Sequence, residues 1–396
     1  MKYYIISGEA SGDLHASNLV KALRRQDSGA CFRAWGGERL QQAGAEVVKH
    51  YKDLSFMGFV EVFTHLGVIF SHLDFCLKDI TAYRPDAVIL VDYPGFNMRV
   101  AKRLYCKGIP VFYYISPQVW AWKKSRLRQI RKYVDEMYVI LPFEASFYAA
   151  HGMRAHYLGH PLLDELSRFS PDENFRARNA WEGRRIIALL PGSRTQEIRR
   201  MLPVMAEVAE KHPEALFVIA GVRHHEALYH PYLSERVKVV YDCTYDLLAQ
   251  SEAALVTSGT ATLETALFGV PQVVCYRANG VSYRIARRLV KGIAYISLVN
   301  LIAGKKVVTE LIQQEMNAVA VDRELQQLLT EGEALSRMRA DYKEVRRRLG
   351  DGKASEAIAA SMMAVLEKKA AAAGQAKGEE PSLPKSDRIN RENDSK

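Results

Sequence analysis

The chain repeatedly alternates short apolar runs with longer stretches of helical periodicity, and that alternation leaves few folds open to it. The runs are Tyr3–Ser7, Ala87–Val91, Val111–Ile115, Glu136–Ile140, Ile186–Leu190, Leu216–Ala220, Val237–Tyr241, Ala253–Val256 and Gln272–Tyr276. Many are apolar at every position rather than at every second one. A strand of that kind needs cover on both faces, the condition of a parallel sheet with helices above and below. The expected class is α/β, doubly wound. At 396 residues the chain exceeds what one core usually serves, so two such units are expected.

The second strand–turn–helix series begins near Ile186, after the polar stretch Ser167–Arg185. The expected division is an N-terminal Rossmann-like domain over 1–166 and a C-terminal one over 167–334, with Gly159-His160-Pro161 near the start of the crossing segment. Charged helices follow over 335–369. A tail over 370–396, rich in Ala, Gly, Pro, Ser and charge, is expected to be disordered. Tandem sheets of this kind leave a cleft between the carboxyl ends of their strands, where such folds bind ligands.

The formal net charge of +10 favours anionic partners, whether phosphate, nucleic acid or an acidic membrane face. No helix-turn-helix or RNP-type signature accompanies it, so no nucleic-acid partner is expected. The five cysteines are scattered without a C-x-x-C pair, which fits a reducing compartment. The start M-K-Y-Y-I-I-S-G reads as a first strand rather than a signal peptide. No apolar run reaches the ~18–20 residues of a membrane span. The histidines lack metal-ligand spacing, and D-x-D, a Walker loop and G-x-S-x-G are absent; no metal site and no cofactor is expected.

Four turns could carry chemistry. S-G-E-A-S-G-D, Ser7 to Asp13, follows the first strand and opens a helix. Its acidic Glu9 and Asp13 suit a sugar hydroxyl or a helix cap better than a pyrophosphate. V-D-Y-P-G-F-N puts Asp92 at a strand's carboxyl end, as a general base on an alcohol or as a carboxylate satisfying loop N–H groups. L-L-P-G-S-R offers Arg194 to a phosphate, where a fixed cation stabilises a negative leaving group. Glu197, Arg199 and Arg200 read as the solvated charges of the helix that follows. S-G-T-A-T-L-E places Ser258, Gly259 and Thr260 at a helix start, with Glu264 one turn further in and able to accept from ribose hydroxyls. Taken alone it is equally an N-cap; beside P-G-S-R the diphosphate reading overtakes that one.

The segment Phe56–Ile80 is apolar around much of a helix, with Phe59, Phe63, Leu66, Phe70, Leu73 and Leu77 in one stripe. It belongs in a core or against acyl chains or a bilayer surface. I-S-P-Q-V-W-A-W, Ile115 to Trp122, runs into a basic cluster from Lys123 to Lys132, a solvated face or a contact for anionic headgroups or a phosphate.

In this order the motifs resemble the lipid-A-disaccharide synthases: S-G-E-A-S-G-D, M-G-x-x-E-V at Met57, D-x-P-x-F-N, S-P-x-V-W-A-W, L-P-G-S-R, S-G-T-A-x-L-E and N-L-x-A-G at Asn300. The likeness runs from about Ile5 to Leu366. It departs at Val299, where that family commonly has proline. The resemblance implies a GT-B fold and an inverting, metal-independent transferase. UDP-2,3-diacylglucosamine would be the donor and the 6-hydroxyl of 2,3-diacylglucosamine 1-phosphate the acceptor, in lipid A biosynthesis. It implies Asp92 as base with Glu9 as the other contender, Ser11 with Glu9 on the acceptor-side loop, and Arg194 on the diphosphate. Ser258, Gly259, Thr260 and Glu264 would bind UDP, and Asn300 and Gln313 would lie near the nucleotide. It further implies a cytoplasmic enzyme held peripherally on the inner membrane face through Phe59, Phe63, Leu66 and Phe70. Some members exchange C-terminal segments in a homodimer, so Leu335–Leu366 would swap or fold back. A UDP-N-acetylglucosamine 2-epimerase on the same architecture is the alternative, and a basic polyanion-binding protein a third reading.

Overall fold

The computed structural model describes residues 1–54, 66–120, 125–279 and 294–378. The first sheet comprises β1 (Lys2–Ser7), β2 (Cys31–Gly36), β3 (Glu46–His50), β4 (Ala87–Val91), β5 (Val111–Tyr114), β6 (Glu136–Val139) and β7 (His156–Tyr157). All its pairings are parallel, in the order β3-β2-β1-β4-β5-β6-β7. The second comprises β8 (Arg185–Leu190), β9 (Ala215–Gly221), β10 (Val237–Tyr241), β11 (Ala253–Thr257), β12 (Gln272–Tyr276) and β13 (Thr309–Ile312). It is likewise parallel, in the order β10-β9-β8-β11-β12-β13. Every apolar run expected to be a strand is one.

β2, β3, β7 and β13 have no counterpart among those runs. They lie at or next to sheet edges, where one flank is not enclosed and charge is tolerated. Arg33 in β2 shows how: its guanidinium is taken up by Asp79 at 2.8 Å and Glu46 at 2.5 Å.

In both sheets the strand order reverses beside the first strand, between β1 and β4 and between β8 and β11. Strand ends flanking such a reversal have loops that diverge to opposite faces and leave a crevice. All four turns singled out above belong to these four strands.

The C-terminal helix Ala354–Gly378 returns to the first sheet. Ile358, Ala359, Met362 and Leu366 share a core with Tyr3, Ile5 and Ile89. The return is anchored at the crossing segment, where the buried Asp164 carboxylate accepts from the N–H groups of Ala354 at 2.9 Å and Ser355 at 2.7 Å. The same helix corrects the expected tail. It continues through Gly378, because the alanine-rich stretch after Lys369 has high helix propensity; residues 379–396 lie outside the described ones.

The apolar segment is described only from Leu66. Phe59, Phe63 and the side chain of Leu66 lie outside the described residues. In the helix Leu66–Tyr83 the buried positions are Ile69, Leu73, Cys76 and Ile80, while Val68, Phe70 and Phe75 are exposed. Phe70 and Leu73 therefore do not share a buried stripe. The core face runs through Leu73, Cys76 and Ile80, which share a core with Trp35 and the strands beneath. Among the described residues no helix is long and apolar enough to cross a membrane.

Candidate active site

At the first reversal, Asp92 leaves β4 with φ +47° and Tyr93 follows at +46°, two successive left-handed residues neither of which is glycine. Hydrogen bonds hold this strained turn. The Asp92 N–H donates to the Tyr114 carbonyl at 3.0 Å. The Asp92 carbonyl accepts from the Tyr113 hydroxyl at 2.6 Å and from the Asn97 amide at 2.8 Å. Asn97 is fully buried and also reaches the Val91 carbonyl at 3.2 Å. Gly8 belongs to the same construction, since a Cβ there would lie 2.4 Å from the Tyr93 ring.

Among the described residues the Asp92 carboxylate has no side-chain hydrogen-bond donor. Burial pushes its pKa up to about 6, the Glu9 charge pushes the same way, and a hydrogen bond from the Tyr93 backbone restrains the shift. Glu9 is exposed at the N-cap of the helix Ala10–Gln26 and makes no capping bond, and Ser11 is exposed in its first turn. Asp13 is a cap, though of a different helix from its own. It is buried and accepts from the N–H groups of Gly37 at 2.6 Å, Arg39 at 3.1 Å and Leu40 at 3.4 Å.

At the second reversal, Gly192 takes φ +102° and Arg194 is exposed. Glu197 is not one of the helix's solvated charges. It turns back to accept from the N–H groups of Ser193 at 3.2 Å and Arg194 at 3.3 Å, as a carboxylate three residues into a helix can. The Arg194 guanidinium touches it at 3.4 Å. His225, beyond the end of β9, approaches the same loop. Burial and the adjacent His224 lower its pKa, and a hydrogen bond to the Ser193 backbone opposes them. The two histidine rings sit 4.0 Å apart in a tight turn.

The Ser258 hydroxyl donates to the Ile296 carbonyl at 3.0 Å. Gly259 and Thr260 are exposed at the start of the helix Thr260–Leu267, and a Cβ on Gly259 would meet nothing within 4 Å. Burial raises the Glu264 pKa and the Tyr245 hydroxyl, at 3.1 Å, restrains it. Tyr245 is itself packed on Phe268 and Phe169, with ring centroids at 5.3 and 5.4 Å.

Asn300 and Gln313 stand behind this turn. The Asn300 amide is committed on every side: it donates to the Val308 carbonyl and to Glu310, each at 2.9 Å, and accepts from the N–H groups of Val307 at 2.7 Å and Val308 at 2.9 Å. Glu310 also accepts from the Ser297 hydroxyl at 2.7 Å and the Ile296 N–H at 3.0 Å. The chain of bonds Asn300–Glu310–Ile296–Ser258 makes Asn300 a support of the turn rather than a free ligand group. Gln313, at φ +56°, accepts from the Ala278 N–H at 3.1 Å. Sequence reading overlooks Tyr113, Tyr245 and the inward role of Glu197. Asn97, inside D-x-P-x-F-N, and Glu310, which opens the segment E-L-I-Q-Q that carries Gln313, were signalled by motifs.

The structure thus brings Asp92 and Glu9 together at one reversal, and sets Arg194 beside the first strand and Ser258, Gly259, Thr260 and Glu264 beside the second strand of the other. Among the described residues no group of three or more His, Cys, Asp or Glu is placed to hold a metal ion. Two doubly wound parallel sheets in tandem define a GT-B architecture, and solved structures share it. A UDP-N-acetylglucosamine 2-epimerase from Neisseria meningitidis, bound to UDP-GlcNAc, superposes with a TM-score of 0.65 at 14% identity, covering 92% of this chain and 100% of that one. A calicheamicin glycosyltransferase gives 0.59 at 16% identity, covering 93% and 99%.

Those likenesses show the fold alone. Residues 3–365 match the lipid-A-disaccharide synthetase family, and the chain belongs to that family of glycosyltransferases. It is 39% identical to the lipid-A-disaccharide synthase of Geobacter metallireducens, over 92% of this chain and 97% of the relative. It is also 39% identical to that of Nitrosococcus oceani, over 92% and 96%. The epimerase alternative has only the shared fold behind it.

Proposed function

We propose that the chain transfers 2,3-diacylglucosamine from UDP-2,3-diacylglucosamine to the 6-hydroxyl of 2,3-diacylglucosamine 1-phosphate. Asp92 takes the hydroxyl proton as the new C1–O6 bond forms and the bond from C1 to the diphosphate breaks with inversion. The electron pair leaves with UDP, whose charge is met by Arg194 and the N–H groups at Ser258–Thr260. Glu264 accepts from the ribose, and Glu9 and Ser11 hold the acceptor. Asn300 and Gln313 position the nucleotide turn. The single observation carrying this reading is the Asp92 carboxyl, raised to about 6 on a turn that other groups hold in place.

The two Rossmann-like domains meet at the crossing segment after residue 166, with the returning C-terminal helix closing on the first. Exposed Phe70, beside Val68 and Phe75, suits a peripheral seat on the cytoplasmic face of a membrane, where both substrates carry their acyl chains. The test is UDP release. It should need both diacylated sugars and persist in chelator, and release from the donor alone at the same rate would refute the transfer.

A further inference from the structure

Beside the acceptor-side loop lies a cavity of about 540 Å³ between the helix Ala10–Gln26, the helix Glu38–Gln42 and the crossing segment. Ala10 and Leu14 form part of its wall, one residue beyond Glu9. Three carboxylates and three cations line it, but the carboxylates are already occupied. Asp13 holds three backbone N–H groups. Glu38 holds Lys52 at 2.6 Å and His50 at 3.1 Å. Glu165 accepts from the Asn18 amide.

The cations are not so occupied. Among the described residues neither Lys21 nor Arg39 has a side-chain hydrogen bond or ion pair, and Arg168 bonds the neutral Asn18 at 2.7 Å with Glu165 only at 4.0 Å. The unspent capacity of the cavity is therefore cationic and donating. It also faces the second domain. The Arg39 charge reaches Tyr245, the partner of Glu264, where it opposes the burial that raises that phenol's pKa.

We propose that Arg39, with Lys21 and Arg168, forms a phosphate-binding wall of the cleft that grips a phosphate of one of the two sugar substrates. The proposal rests on the transferase reading and adds a ligand group to a wall that no motif singled out. Two sources fit: the 1-phosphate of an acceptor running past Ala10, or the donor diphosphate reached across the cleft from Tyr245. A guanidinium suits either, since it binds phosphate through two parallel N–H bonds.

Calorimetric titration of the full chain distinguishes them, using UDP, 2,3-diacylglucosamine 1-phosphate and the same sugar with a free 1-hydroxyl. Arg39→Ala leaves the backbone bond to Asp13 in place, so the fold should persist. It is expected to weaken either UDP or the phosphorylated sugar roughly tenfold or more, with the 1-hydroxyl sugar held within about twofold. A loss on the UDP arm assigns the wall to the donor, and a loss on the other arm to the acceptor. Lys21→Ala should show a smaller loss on the same arm, and Arg39→Lys should recover part of it. Unchanged affinity on both arms, or an equal loss with the 1-hydroxyl sugar, overturns the proposal. An unsubstituted chain that binds neither UDP nor acceptor sinks the transferase reading first, an outcome distinct from one that binds both and ignores Arg39.

Discussion

Each wall of the cleft carries a carboxylate whose pKa is raised by burial, and the two are handled in opposite ways. Asp92 sits on a turn of two left-handed residues, its peptide held by Asn97 and Tyr113, with the Glu9 charge adding to the burial. Glu264 sits in a regular helix, and a tyrosine hydroxyl at 3.1 Å offsets part of its burial. Under the proposed function, the difference separates a proton acceptor from a binding group. A carboxylate denied a side-chain donor keeps a raised proton affinity for a substrate, whereas one already bonded to a tyrosine is positioned and quiet. The turns follow the same division. The Asp92 turn stores strain, and the Ser258 turn is an ordinary helix start backed by the Glu310 network.

The largest expected effect comes from removing the uncompensated carboxylate. Asp92→Asn keeps a residue type that tolerates the left-handed backbone, so it isolates the proton transfer. Turnover should fall by about 10²–10⁴, with UDP affinity unchanged in the same preparation. The same variant should raise stability. The folded pKa of about 6 lies above the 3.8 of a free aspartate side chain. The burial penalty is thus absent below pH 3.8, grows as pH rises, and is complete above pH 6. Above that point Asp92→Asn should gain up to about 3 kcal/mol in chemical denaturation, and show no gain at low pH.

Next in size is Arg194→Ala, on the opposite wall. Its guanidinium is exposed and loosely held, so stability should move by less than about 0.5 kcal/mol. UDP affinity should drop roughly ten- to a hundredfold, read by calorimetry. Asn97→Ala tests the support of the strained turn. It leaves the Val91 and Asp92 carbonyls short of a donor and should cost about 1–3 kcal/mol in denaturant. Turnover should fall and the pH profile shift, with UDP affinity unmoved. A purely structural Asn97 would lower stability without altering the pH profile. The smallest effect belongs to Tyr245→Phe, which removes the donor to Glu264. It should weaken UDP only a few-fold at neutral pH, and more as pH falls, because Glu264 then protonates more readily.

Much of the fold was legible because covered strands must be apolar on both faces, and the nine such runs are all strands. β2, β3, β7 and β13, at or next to sheet edges, were not, although the edge strand β10 was; a half-open flank lets Arg33 or Glu310 stand where the pattern demands an apolar residue. Of the site, the four turns were visible because glycines and small residues mark where a strand end approaches a ligand. Their supports were hidden. Tyr113 lies within an apolar run, Tyr245 opens a helix with no motif around it, and the inward turn of Glu197 is a matter of rotamer. Asn300 was visible through its motif, which marks the place, and its four hydrogen bonds add that the amide is spent on the turn's support.

The division of labour between the walls is tested most directly by the pH dependence of kcat/KM for the phosphorylated acceptor, in the unsubstituted chain and in Asp92→Asn. The unsubstituted chain should gain activity with rising pH through an apparent pKa near 6, the value to which burial raises Asp92. The variant should retain only a low activity without that limb. A limb near 6 that survives in Asp92→Asn would assign the proton transfer to another group and contradict the account.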